Sequence, residues 1–213
     1  MSGFGGVIRL DERPLAEADA RRMRDAIEHR GGDGSGSWSD SRATLLHAML
    51  QTTPESVDEP QPHREGDLVI TADLRIDNRA ELGFDEAIGD AALVLAAYRR
   101  WGSECVRHLE GDFAFAIWDS RERALFCARD PFGVKPFVYS HLPGKLFAFA
   151  SEVRALLALE EMPRQVDEKR IADYLSIHFD DVARTFFRAI QRLPGGCTLT
   201  LRDGIARVTR YWS

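Results

Sequence analysis

Apolar positions recur with two different periods along this chain of 213 residues. Across residues 15–30, Met23, Ala26 and Ile27 fall at helical spacing among charges, with no Gly or Pro inside. That pattern predicts an amphipathic helix, ended by HRGGDGSG. A second helix is predicted with Asp90 as N-cap, running through AALVLAAYRRW to Gly102, whose missing Cβ suits a C-cap. A third runs through DEKRIADYLS. Between them lie short runs with strand character: ATLLHAML, DLVITADL, DFAFAIWD, RALFCARD, PFVYS and KLFAFA. Several are apolar on both parities, as expected of strands buried on both faces, so two packed sheets flanked by helices fit best. CTLTLRDG and IARVTRYW form a predicted hairpin turning through Asp203-Gly204.

The remaining stretches lack a period. Residues 52–66 carry three prolines among polar groups and read as a surface loop, of a length that is often functional. The Gly-rich run 31–36 lacks a following Lys-Ser/Thr and a helix start, so it reads as a turn and not as a phosphate cradle.

Composition narrows the class. At 44% hydrophobic and 29% charged the chain is ordinary for a soluble protein, and one domain over residues 1–213 is expected. No apolar run nears the roughly 18 residues of a membrane span, and the N-terminus has no secretory signal pattern, so a cytoplasmic protein without a membrane partner is expected. The formal charge of −6, with arginines beside acids instead of in a basic stripe, argues against nucleic acid. Cys105, Cys127 and Cys197 are odd in number and far apart, which suits buried thiols better than disulfides or a metal site; no metal is expected.

A specific resemblance emerges from motifs read in order. MSGFGG is similar to M-C-G-I-x-G, HRGGD to H-R-G-P-D, LLHAML to L-x-H-x-R-L and TADLRIDN to N-G-E-I-Y-N. Gly89-Asp90 stands for S-D, LEGDFAFAIWD for L-x-G-M-F-A-F-A-x-x-D, RDPFGVKPFVY for R-D-x-x-G-x-x-P-L-Y and ASEVRALL for A-S-E-x-K-A-L. Together they resemble the class II glutamine amidotransferase domain of B-type asparagine synthetases, over residues 1–212. The resemblance implies an α+β fold, the four-layer αββα sandwich of N-terminal-nucleophile hydrolases. It also implies a downstream ATP-pyrophosphatase ligase domain in cis, absent here, to which ATP and Mg²⁺ would belong; no cofactor is expected in this domain.

In the resembling family an N-terminal cysteine, exposed by removal of the initiator Met, attacks the glutamine side-chain amide while its own α-amine takes the proton. Ser2 stands at that position. The family's Asn-Gly pair, which donates to the oxyanion, is matched here to Thr71 and Ala72; Ala72 keeps a backbone N–H, and Thr71 is a weak stand-in. The arginine that forks onto the substrate α-carboxylate is matched to Met49, the family's Glu to Asp73, and the acid that pairs with the α-ammonium to Asp90. Only Asp90 clearly keeps its role, so the resemblance implies a degenerate glutaminase site. A scaffold for a ligase drawing nitrogen from free ammonia or from an amine of its own substrate follows, as in β-lactam synthetases and lasso-peptide macrolactam cyclases. The alternative is a glutaminase working through Ser2, with glutamine as substrate and ammonia passed on for asparagine synthesis. A homo-oligomer stays open.

Structural readings stand beside these. Asp90 can be a plain helix cap and Met49 a pocket filler. His29, Arg30 and Asp33 read as a structural turn, and Arg129, Asp130 and Gly133 as a turn held by an internal ion pair. Ser151 and Glu152 either face a partner domain or cap a helix.

Overall fold

The structure, a computed structural model, describes all of residues 1–213 except Glu12, Asp58, Glu86, Ala87 and Phe179. In chain order it comprises β1 (Gly3–Arg9), α1 (Glu17–Ile27), β2 (Gly34–Ser39), β3 (Ala43–Met49), β4 (His63–Glu65), β5 (Leu68–Ile76), α2 (Asp90–Trp101), β6 (Gly111–Asp119), β7 (Ala124–Arg129), β8 (Val138–Leu142) and β9 (Leu146–Ala150). The chain continues with α3 (Val153–Leu157), α4 (Glu168–Leu175), β10 (Gln191–Arg192), β11 (Cys197–Arg202) and β12 (Ile205–Arg210). Two six-stranded antiparallel sheets result, ordered β10-β8-β9-β1-β3-β2 and β12-β11-β7-β6-β5-β4.

Strand β6 explains why apolar residues occupy both parities. Phe113, Phe115 and Ile117 pack outward beneath α2, while Ala114, Ala116 and Trp118 face the opposite sheet. Strand β9 does the same, with Phe147 and Phe149 inward and Leu146, Ala148 and Ala150 outward beneath α1 and α3. Three apolar layers therefore separate four structural layers, helix, sheet, sheet, helix, as predicted. The middle layer is aromatic: Phe4 lies 5.7 Å from Phe137 and 6.3 Å from Phe149 between ring centroids. Gly6 of β1 is obligatory there, since a Cβ would come within 2.6 Å of the Phe149 ring.

Three expectations need correction. The Gly-rich run is only partly a turn, because from Gly34 it becomes β2, a polar edge strand paired along β3. The loop 52–66 contains β4, whose His63 and Arg64 pair with Ile70 and Val69; Asp58 of that loop lies outside the described residues. Asp90 is not the cap of α2 but its first residue, after Gly89. The capping is done from a distance: Glu59 accepts from the backbone N–H groups of Ala91 at 3.1 Å and Ala92 at 2.9 Å. A carboxylate placed there satisfies orphan donors and complements the helix dipole. At the other end Gly102, at φ +58°, closes α2 as expected, its N–H donating to Tyr98. The hairpin turn also holds, with Asp203 and Gly204 both at positive φ.

Among the described residues no helix is long and apolar enough to cross a membrane. Cys105, Cys127 and Cys197 are buried free thiols.

Candidate functional site

At one end of the sandwich the start of β1, the end of β3, the middle of β5 and the start of α2 converge on a small cavity. Ser2, Met49, Leu50, Gln61, Ala72, Asp73, Leu74 and Asp90 line it, with part of the 52–59 loop. Its volume is about 20 Å³, room for roughly one water-sized group.

Position 2 is held from two sides. The Ser2 hydroxyl accepts from Leu50 N–H at 3.0 Å and lies 3.3 Å from Leu50 O, to which it donates. Its backbone carbonyl accepts from Arg30 Nε at 3.2 Å, and Arg30 Nη1 donates to Glu152 Oε1 at 2.7 Å. His29 and Arg154 also reach Glu152, at 3.1 Å each. Burial alone would raise the Glu152 carboxyl, but the Arg30 bond and the surrounding cations hold it below the usual carboxylate range. Ser151 accepts from Phe4 N–H at 3.0 Å. Glu152 stands at the N-cap position of α3, but its side chain makes no cap bond; it binds Arg30 instead, and Ser151 bonds β1 directly at Phe4. Asp33 joins the same frame by accepting from Gln51 N–H at 2.7 Å, so the His29–Asp33 turn acts structurally.

The pocket face of β5 departs from expectation. Thr71 does not line the cavity; it points between the sheets, fully buried, and donates to Leu46 O at 3.1 Å. With that proton committed, the bond network assigns His47 Nδ1–H as donor to the Thr71 oxygen at 3.3 Å. Burial pushes the His47 imidazole down to about 3, so it is neutral. The expected donor role of Thr71 therefore fails, because its hydroxyl is spent on the core. Ala72 N–H is spent too, donating to Gln61 Oε1 at 2.7 Å. Asp73, two residues on and on the same strand face, is what reaches the cavity. It is 4% exposed, and its Oδ1 accepts from Lys135 Nζ at 3.0 Å.

Asp90 is likewise engaged: it accepts from Ile76 N–H at 3.2 Å and pairs with Arg79. Met49, 9% exposed, lies with its sulfur 3.9 Å from the Ser2 hydroxyl. Lys135 belongs to a turn built around Arg129 and Asp130. Backbone bonds hold that turn instead of the expected ion pair: Arg129 donates to Lys135 O, Leu193 O and Gly133 O, and Asp130 accepts from Val134 N–H and Lys135 N–H. Sequence reading passed over Glu59, Gln61, Arg79 and Lys135. Of these only Lys135 sat in a matched motif.

A family model described as "Glutamine amidotransferase domain" matches residues 1–212. The chain belongs to this family. Similar curated proteins include asparagine synthetase [glutamine-hydrolyzing] 3 of Bacillus subtilis, 31% identical over all of this chain and 37% of its own length. A putative asparagine synthetase [glutamine-hydrolyzing] of Mycobacterium bovis is 34% identical over 90% of this chain and 33% of its own. The chain thus spans about a third of these relatives. Among solved structures, the glutamine phosphoribosylpyrophosphate amidotransferase of B. subtilis aligns over 98% of the chain with a TM-score of 0.68 at 17% identity. That similarity supports the N-terminal-nucleophile hydrolase fold, and the domain is a glutamine amidotransferase domain of the kind found in asparagine-synthetase-like proteins.

Proposed function

We propose that this amidotransferase domain is inert as a glutaminase and serves as scaffold and docking surface for an ATP-dependent amide ligase domain of the same polypeptide. One observation carries the reading: the groups that would have to meet glutamine are already engaged with the protein. Asp90 pairs with Arg79, Asp73 with Lys135, Ala72 N–H with Gln61, and the Ser2 hydroxyl with the Leu50 backbone. Met49 stands where the resemblance puts a carboxylate-binding arginine, so the α-carboxylate of an amino acid would lose its solvation there without gaining a partner. Losing one oxyanion donor alone costs roughly 100- to 1000-fold in rate.

Exposed apolar side chains support the scaffold role. Tyr174, Leu175, Ile177 and Val182 stand 56–79% exposed along and after α4. Phe132, 81% exposed, meets Trp212 edge-on at 5.2 Å. Exposed apolar groups clustered in this way mark interaction sites. In such a ligase ATP and Mg²⁺ would bind outside this domain, and the acylated nitrogen would come from free ammonia or from an amine of the substrate, as in macrolactam cyclases. The rival is a glutaminase using Ser2, in line with the glutamine-hydrolyzing asparagine synthetases to which the chain is similar. Purified protein incubated with glutamine, beside a Ser2→Cys variant, decides between them. The expected outcome is no glutamate above the uncatalysed background from either; clear turnover by the unmodified protein overturns the inert reading.

A further inference from the structure

Among the described residues that line the cavity, Asp73 is the one with a buried side-chain atom left without a hydrogen-bond partner. Its Oδ1 is taken by Lys135, while its Oδ2 is buried and has no hydrogen-bond partner among the described residues. A carboxylate oxygen left bare in a low-dielectric site is costly, and a hydrogen-bond donor relieves that cost. Asp73 shares the cavity with Ser2, and the space suits one small group. The carboxylates around it point to a cation as partner: Glu59 is taken by the first turn of α2 and Asp90 by Arg79 and Ile76 N–H, whereas Asp73 keeps one oxygen open beside its bond to Lys135.

We infer that Asp73 sets what this pocket accepts: a compact hydrogen-bond-donating cation, ammonium or the head of a primary amine, in place of a developing oxyanion. The inference rests on the inert reading and names its electrostatic determinant. A carboxylate facing position 2 disfavours negative charge there, so restoring a cysteine alone leaves a thiol that ionises reluctantly. Lys135 compensates Asp73 only in part, because it reaches one of the two oxygens.

The test uses Ser2→Cys as a reporter. Burial drives the Cys105 thiol up to about 12 and raises Cys127 and Cys197 as well, so alkylation by iodoacetamide reports the introduced thiol, with its position checked by peptide mass spectrometry. Asp73→Asn in that background is expected to speed alkylation at pH 7 about tenfold, the effect of one unit in thiol ionisation. Lys135→Met is expected to slow it. Simple loosening of the pocket would move both variants in the same direction, so opposite signs separate electrostatics from misfolding. Ammonium or methylammonium chloride should accelerate alkylation saturably over sodium chloride at equal ionic strength, tetramethylammonium should not, and Asp73→Asn should abolish the difference. An unchanged or slower Asp73→Asn, or equal responses to ammonium and sodium, overturns the inference. Glutamate release by the unmodified protein would overturn the inert reading instead, so the two failures are distinct.

Discussion

Two sets of residues meet at Ser2 and have fared differently. Behind it, Arg30, Glu152 and Ser151 keep the contacts that fix the first strand: Arg30 to the Ser2 carbonyl and to Glu152, Ser151 to Phe4. In front, at the cavity, Met49, Asp73 and Asp90 are apolar or matched with protein partners. The first set fixes the backbone at position 2, whereas the cavity groups pair with neighbouring protein groups, Asp73 through one of its two oxygens. A domain needed for its shape retains the first set whether or not it retains the second.

The sharpest way to break that contrast is Arg30→Met, which removes the donor to Ser2 and leaves Glu152 without its principal partner. A destabilisation of about 3 kcal/mol in urea unfolding is expected, as for other partly buried pairs broken on one side. Met49→Arg, at the cavity, should cost less than about 1 kcal/mol, since its long side chain can reach solvent. If the two variants cost the same, the distinction between frame and pocket falls.

Of comparable size is a pH effect rooted in His47. Its folded value of about 3 lies below the ordinary histidine value, so the unfolded chain binds the extra proton. The stabilisation is complete above the unfolded value near 6.5 and is lost as pH falls toward 3, at up to roughly 1.4 kcal/mol per pH unit. Melting temperatures taken from pH 7 to pH 4 should fall, and His47→Gln should flatten that slope. Glu59→Ala, which uncaps α2, is expected to cost about 1 kcal/mol, with the loss of helical signal on heating beginning earlier. The smallest effect belongs to Leu175→Ser on the exposed apolar stretch: within about 0.5 kcal/mol on the domain itself, but a loss of association with the ligase portion of the full polypeptide in a pull-down.

Much of the fold could be read from sequence because its strands are long and doubly apolar; Phe113, Phe115 and Trp118 leave β6 little choice. The polar edge strands β2 and β4 escaped, since Ser, Gly and Arg on an edge carry no period and take their pairing from neighbours. At the site, Ser2, Met49 and Asp90 were found by motif, but Thr71 was put in the pocket. Thr71 and Asp73 share a face of β5, so alternation alone cannot choose between them; only depth between the sheets does. Lys135 reaches Asp73 across 62 positions of sequence, and Glu59 reaches α2 across 32 and 33. Nothing local marks such bonds.

The carboxylate of Glu59 ties two events together. It sits on the loop that roofs the cavity, yet its bonds are to the first turn of α2, so the roof cannot lift without freeing the amide protons of Ala91 and Ala92 to solvent. Deuterium uptake at those two amides is therefore a gauge of how often the cavity opens, readable without any ligand. A molecule that props the roof open would quicken it, and one that seals the roof would slow it.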